Sequence, residues 1–221
     1  MTVEGEFEPG DRRRADRAVL LAHGAGAGAG RNAAPLVATA GALAEAGIAS
    51  LRFDFPYRAA GRKAPDRPPV LLQAVRDAAA DLAARTGLPP ERLVLGGRSM
   101  GGRYCSLAVG DAEDPLPALG LLLLGYPLHP AGRPESRRVE HFPRLSVPVL
   151  FLSGDRDALA GKPDLEKWAG TIPGPVTFQW LAGADHGYRV PKSLGGQGEA
   201  AVMAEVARRS TEWVADLPVP S

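Results

Sequence analysis

The chain has 221 residues, 45% of them hydrophobic and 23% charged, which is the composition of an ordinary globular protein. Its formal net charge of +1 gives no electrostatic reason to expect nucleic acid or an acidic membrane surface as a partner. The single cysteine, Cys105, excludes an internal disulfide and fits a reducing compartment, and no apolar stretch is long enough to span a bilayer.

Near the start, Arg12-Arg13-Arg14 precede an apolar run of only Ala18 to Ala22, too short for a secretion signal, so a cytoplasmic location is expected. That run reads as a strand ending in glycines. Residues 32–46 read as a helix with Leu36, Val37, Ala40 and Leu43 on one face and Gly47 as its stop. Residues 48–53 follow as a strand and 69–85 as a helix, with Leu72, Val75, Ala79 and Leu82 on its apolar side. Residues 93–95, 119–124 and 147–152 are buried-type strands, 176–181 a further one, 165–169 lie in a short helix, and 199–214 form a long closing helix. Such alternation predicts a doubly wound, mostly parallel sheet with helices on both faces, one α/β domain over residues 1–221. Ligands of such sheets bind beyond the carboxyl ends of the strands, so the residues after each apolar run carry the information.

After the strand at 93–95 comes Gly97-Arg98-Ser99-Met100-Gly101-Gly102, a serine between glycines where a strand turns into a helix. A turn that sharp pushes Ser99 Oγ above the sheet edge, and the Met100 N–H then faces the oxygen of any carbonyl the serine attacks. After the first clear strand comes His23-Gly24-Ala25-Gly26-Ala27-Gly28-Ala29-Gly30. Its backbone N–H groups, those of Ala25 or Gly26 foremost, can complete an oxyanion hole. The same loop also fits a G-x-G-x-x-A dinucleotide fingerprint through Gly24, Gly26 and Ala29, with Asp54 as the ribose acid. Two further strand ends supply Ser153-Gly154-Asp155-Arg156-Asp157 and Ala182-Gly183-Ala184-Asp185-His186-Gly187. A carboxylate at the first can orient an imidazole, and His186 in the second can reach the serine. Serine, then aspartate, then histidine, after successive strands, suits nucleophilic acyl transfer.

These residues resemble the α/β-hydrolase superfamily, and more narrowly its small lidless, dienelactone-hydrolase-like members. The segments His23-Gly24-Ala25-Gly26, Gly97 to Arg103, Gly125-Tyr126-Pro127, Gly154 to Asp157 and Asp185-His186 carry the resemblance. Arg52-Phe53-Asp54-Phe55-Pro56-Tyr57 points further, to the testis-expressed and KAT8-complex-subunit hydrolase homologues. The resemblance implies Ser99 as nucleophile, His186 as general base, and Ala25 and Met100 as oxyanion donors. Its Gly-x-x-Asp pattern selects Asp157 over Asp155 as the acid of the triad. Dienelactone hydrolases carry cysteine at the elbow, so the serine here leaves the acyl substrate open among carboxylester, thioester and lactone. Two rival readings are a non-catalytic scaffold on a hydrolase fold and the NAD(P)-binding oxidoreductase built on the Gly24 loop.

Gly26, Tyr57 and Tyr126 are expected to contact substrate, although either tyrosine can instead be buried with a satisfied hydroxyl. Arg98 would either meet an anionic substrate group or pack under the elbow and pair with an acid, the structural role being the expected one. Cys105 reads as a small buried side chain rather than a second nucleophile. Arg58, Arg62 and Lys63 read as a solvated loop, His129 and His141 as surface histidines, and Asp185 as a turn former. The twenty or so residues between Tyr126 and Ser146 are too few for a helical lid. No His, Cys or carboxylate cluster has metal-ligand spacing, so neither metal nor other cofactor is expected, and the expected partner is a small ester-like molecule.

Overall fold

In the computed structural model, residues 4–11, 16–26, 28–196 and 198–219 are described; Arg12, Arg13, Arg14 and Ala27 lie outside them. The strands are β1 (Gly5–Glu8), β2 (Ala18–Ala22), β3 (Ala49–Phe53), β4 (Leu93–Arg98), β5 (Gly120–Leu124), β6 (Val149–Gly154) and β7 (Val176–Leu181). The helices are α1 (Ala34–Glu45), α2 (Pro56–Ala59), α3 (Pro68–Thr86), α4 (Met100–Val109), α5 (Lys162–Ala169) and α6 (Glu199–Asp216). The strands form one seven-stranded sheet in the order β1-β3-β2-β4-β5-β6-β7. Every pairing is parallel except that of β1 with β3.

Because both faces are covered, the central strands read as unbroken apolar runs rather than as alternations. Leu20, Leu51, Leu95, Leu121 and Leu123 point to one face, where Val75 and Leu82 of α3, Cys105 of α4 and Leu165 of α5 pack on them. Val19, Leu21, Val94, Leu122 and Leu124 point to the other and meet Leu36 and Leu43 of α1 and Val206 and Val214 of α6. Truncating any such leucine to alanine costs about 2–5 kcal/mol. Three of the four residues expected on the inner face of each of α1 and α3 are buried, Val37 and Leu72 being the exceptions. Val37 is exposed while Leu36, Thr39, Ala40 and Leu43 are buried. Leu72 is half-buried, whereas Leu71, Ala74 and Ala78 join Val75, Ala79 and Leu82 inside.

β1 escapes the periodicity because it is an edge strand with glutamates at alternate positions, a charged edge that discourages further pairing. Glu6 and Glu8 instead hold the buried guanidinium of Arg52 on β3, at 3.1 and 2.8 Å. A second buried cation, Arg17 at the entry to β2, donates to the carbonyls of Val214, Ala215 and Leu217 and so closes the C-terminus of α6.

Between β5 and β6 there is no helical lid, only turns and a single 3-10 turn at Phe142–Arg144. The segment lies down on the sheet rather than standing over it, and both of its histidines are buried, not surface residues as expected. His129 Nδ1 donates to the Pro130 carbonyl at 2.9 Å. His141 is 1% exposed, stacked edge-on to Phe142, with Nε2 2.8 Å from Ser106 Oγ of α4. Burial, reinforced by Arg103 and Arg144, pushes the His141 imidazole down to about 3.

The unfolded chain therefore takes up a proton at this histidine near pH 6.5 that the folded chain refuses until about pH 3. Stability from this group is complete above pH 6.5 and falls as the pH drops toward 3. Between pH 7 and pH 5 the native chain should lose roughly 2 kcal/mol more stability than His141→Gln, which cannot titrate. Urea midpoints at the two pH values measure this; equal losses in both proteins would refute it.

Candidate active site

β4 ends against β2 with Ala22 paired to Gly97, so close that a side chain on Gly97 or Gly101 would run into the Ala22 carbonyl. The chain escapes through Ser99, held at φ 49° and ψ −114°, a conformation rare for a side-chain-bearing residue. Its N–H donates to the Leu124 carbonyl at 2.9 Å, and α4 starts at the next residue. The first N–H groups of a helix have no partner within it, so the Met100 amide is free to meet an anion.

Ser99 Oγ lies 3.0 Å from His186 Nε2, and His186 Nδ1 lies 2.7 Å from Asp157 Oδ2. A carboxylate only accepts, so Nδ1 carries the proton and Nε2 presents its lone pair to the serine hydroxyl. Asp157 has its side chain fully buried and takes the Leu159 N–H on its second oxygen at 2.8 Å. His186 keeps 26% of its side chain exposed, enough for a reactant to approach. Asp155, the other acid of that turn, points elsewhere and accepts the Gly183 N–H at 2.8 Å. Asp185 shapes the histidine loop by accepting the N–H groups of Gly187 and Arg189 at 2.7 and 2.9 Å.

The glycine-rich loop leans on the elbow, since a Cβ on Gly24 would stand 3.5 Å from that of Ser99. Ala25 and Gly26 are exposed beside it, Gly26 with φ +100°. The loop is braced from below by a residue whose part sequence reasoning missed. His23 is wholly buried; its Nδ1 donates to the Gly24 carbonyl at 2.6 Å and its Nε2 accepts the Phe55 N–H at 3.1 Å. Burial pushes this imidazole below its ordinary value, so it stays neutral as that pairing requires. Its signal in the sequence is only its place between an apolar strand and a glycine. Asp54 accepts the Arg31 N–H at 2.7 Å and pairs with the Arg31 guanidinium. The carboxylate that a dinucleotide would need is thus engaged in holding the loop.

Tyr57 and Tyr126 are not at the pocket mouth, which corrects their expected contact with substrate. Both are fully buried because the chain turns inward after β3 and β5. Tyr57 Oη donates to the Gly24 carbonyl at 3.4 Å, and Tyr126 Oη to that of Arg138 at 2.5 Å among Phe142 and Phe151. Cys105 is a core residue whose thiol donates to the Gly96 carbonyl at 3.3 Å. Arg98 Nη1 reaches the carbonyls of Leu124 and Gly125 at 3.3 and 3.4 Å, so it packs at the elbow, but among the described residues no acid pairs with it as expected. Arg58 is half-buried, while Arg62 and Lys63 are exposed and Arg62 pairs with Asp66 at 2.7 Å. Among the described residues no three His, Cys, Asp or Glu side chains converge as metal ligands, and no helix is long and apolar enough to cross a membrane.

A seven-stranded sheet with a serine elbow, a histidine loop and a strand-end aspartate is the arrangement of α/β hydrolases. The family model for the alpha/beta hydrolase domain matches residues 15–215, and the chain belongs to that family. Its fold is similar to an alpha-beta serine hydrolase homologue from Coxiella burnetii, at TM-score 0.68 and 16% identity over 94% of this chain and 89% of that one. It is likewise similar to dienelactone hydrolase from Anabaena variabilis (0.67, 18%, 96% and 91%). A serine hydrolase without lid from Xanthomonas campestris is also similar (0.64, 20%, 98% and 90%).

Burial pushes the Cys105 thiol up to about 12, so almost no thiolate exists near neutral pH. Ellman's reagent at pH 8 should leave the folded protein unmodified and react with one thiol on unfolding. Rapid modification of the native chain would refute this placement.

Proposed function

We propose that this chain is a serine hydrolase that cleaves an ester-like bond (carboxylester, thioester or lactone) of a small substrate. The observation that carries the reading is the unbroken hydrogen-bonded line from Ser99 Oγ through His186 to Asp157, at 3.0 and 2.7 Å. Ser99 Oγ attacks the carbonyl carbon while its proton passes to His186 Nε2, and Asp157 steadies the imidazolium that forms. The carbonyl oxygen becomes an oxyanion facing the N–H groups of Ala25 and Met100, each such donor being worth about 3 kcal/mol. The bond to the leaving group then breaks, the leaving atom collects the proton from His186 Nε2, and an acyl-serine remains. Water, giving a proton to the same nitrogen, attacks the acyl carbon and releases the acid, and the proton returns to Ser99.

The absence of a helical lid and the exposure of Gly26 favour small or projecting acyl groups. The similar folds of a dienelactone hydrolase and a lidless serine hydrolase support the same reaction class. The Arg52–Tyr57 segment is the basis for including kinship with the testis-expressed and KAT8-complex-subunit homologues in this proposal.

A fluorophosphonate probe followed by mass mapping tests nucleophile activation without a known substrate. Label should appear on Ser99 and vanish in Ser99→Ala. The Asp157→Asn change should slow labelling by on the order of a thousandfold or more, through loss of the tautomer, and Asp155→Asn by a few-fold at most. A folded wild-type chain that takes no label would favour the scaffold reading instead.

A further inference from the structure

Arg98 is a half-buried cation at the nucleophile, and no carboxylate lies in ion-pair range of it among the described residues. Its guanidinium lies over the ring of Tyr188, 4.9 Å from the centroid, which holds its plane. One corner, Nη1, is occupied by the Leu124 and Gly125 carbonyls and lies 3.5 Å from His186 Nε2. Gly125 makes the room: at φ +60° it has no side chain, and a Cβ there would stand 2.5 Å from Nη1. The remaining edge, Nε and Nη2, hydrogen-bonds to none of the described residues and is not buried. Two parallel N–H donors on a fixed plane match the two oxygens of a carboxylate.

The sheet order decides which part of a substrate meets that edge. Ser99 stands at the end of β4, with β2 on one side and β5 and β6 on the other. The proposed oxyanion donors lie on the β2 side, so the carbonyl oxygen turns that way. The occupied Nη1 corner of Arg98 lies on the β5 side, 3.5 Å from the His186 nitrogen that must hand its proton to the leaving atom, and the free edge belongs to the same small planar group. We infer that Arg98 is a specificity-determining residue that binds a carboxylate on the leaving-group side, making the preferred substrates esters of hydroxy acids. This rests on the serine-hydrolase reading above. Because the carboxylate departs with the leaving group, the contact acts in acylation and not in deacylation.

Acetyl-lactate and its neutral methyl ester are a suitable pair of probes. The wild type should prefer the carboxylate form in kcat/KM. Arg98→Met should lower kcat/KM for acetyl-lactate by roughly tenfold to a hundredfold, the range of a charge-assisted hydrogen-bonded pair. Because the change also removes the guanidinium from the Tyr188 ring, the methyl ester should fall too, but by at least tenfold less, while Arg98→Lys restores part of the preference. Deacylation of the common acetyl-enzyme, read from the steady phase after a p-nitrophenyl acetate burst, should fall no further than the methyl ester does. An equal fall for both esters, or no preference in the wild type, would overturn the inference. Calorimetry of acetyl-lactate on Ser99→Ala, with and without Arg98→Met, reads the contact without turnover. Equal binding by the two proteins would overturn the inference even if fluorophosphonate labels Ser99. Binding lost with Arg98, in a chain that takes no label, would support the contact and count against the hydrolase reading.

Discussion

The carbonyl of Ala22 occupies the space into which side chains at Gly97 and Gly101 would project, and the geometry of the site follows from that contact. β2 and β4 are hydrogen-bonded neighbours throughout, and at their carboxyl ends the Ala22 carbonyl fills the space where a Cβ on Gly97 would project. The approach draws the start of α4 over the end of β2 and sets the Met100 amide beside the loop that follows β2. It leaves no room for an ordinary turn, which is why Ser99 adopts a positive φ. A one-methyl change at Gly97 would separate the two strands and with them the serine from the glycine-rich loop after β2.

The histidine arm is registered by a similar device on the other side. Gly154, the last residue of β6, lies where a side chain would meet the Ala184 carbonyl, so the loop after β7 passes directly over the end of β6. Tyr188 closes that loop: its hydroxyl donates to the Leu152 carbonyl of β6 at 2.7 Å, and burial raises it far above its ordinary value, so it remains a donor. Asp157 is the third residue after β6 has ended, and Asp185 ties the turn around His186. The imidazole is thus suspended between two points of one strand, rather than carried on a free loop.

Much of this was legible in the sequence, and the boundary of legibility is physical. The sheet could be read because strands covered on both faces must be apolar throughout, and the positions of Ser99 and Asp157 because each follows such a run; His186 follows β7, an edge strand that alternates apolar and polar residues. Separating Asp157 from Asp155 needed a family register, since a turn of alternating acids offers no periodicity. β1 could not be read, because of its four residues only the hydrophobic Phe7 packs on the core, and its order comes also from pairing with β3 and from ion pairs with Arg52. Tyr57, Tyr126, His129 and His141 were misread for a common reason. Their burial depends on how a segment after a strand folds back, and a polar group inside is betrayed only by a tertiary partner such as Ser106.

Among the described residues, Ser99 and Tyr188 are the two non-glycines with positive φ, and they flank the Ser99–His186 contact from either end. Conformations of this kind cost roughly 1–3 kcal/mol each and persist only where the surroundings over-determine them. Ser99 is held by its hydrogen bond to β5, and Tyr188 by its hydroxyl on β6 and by the guanidinium of Arg98 on its ring. The strain is therefore stored against the ends of three adjacent strands, the stiffest part of the molecule. A site fixed in this way has no need of a covering segment to assemble it. The chain between β5 and β6 is accordingly free to lie flat and bury its histidines, and it does not cover the serine.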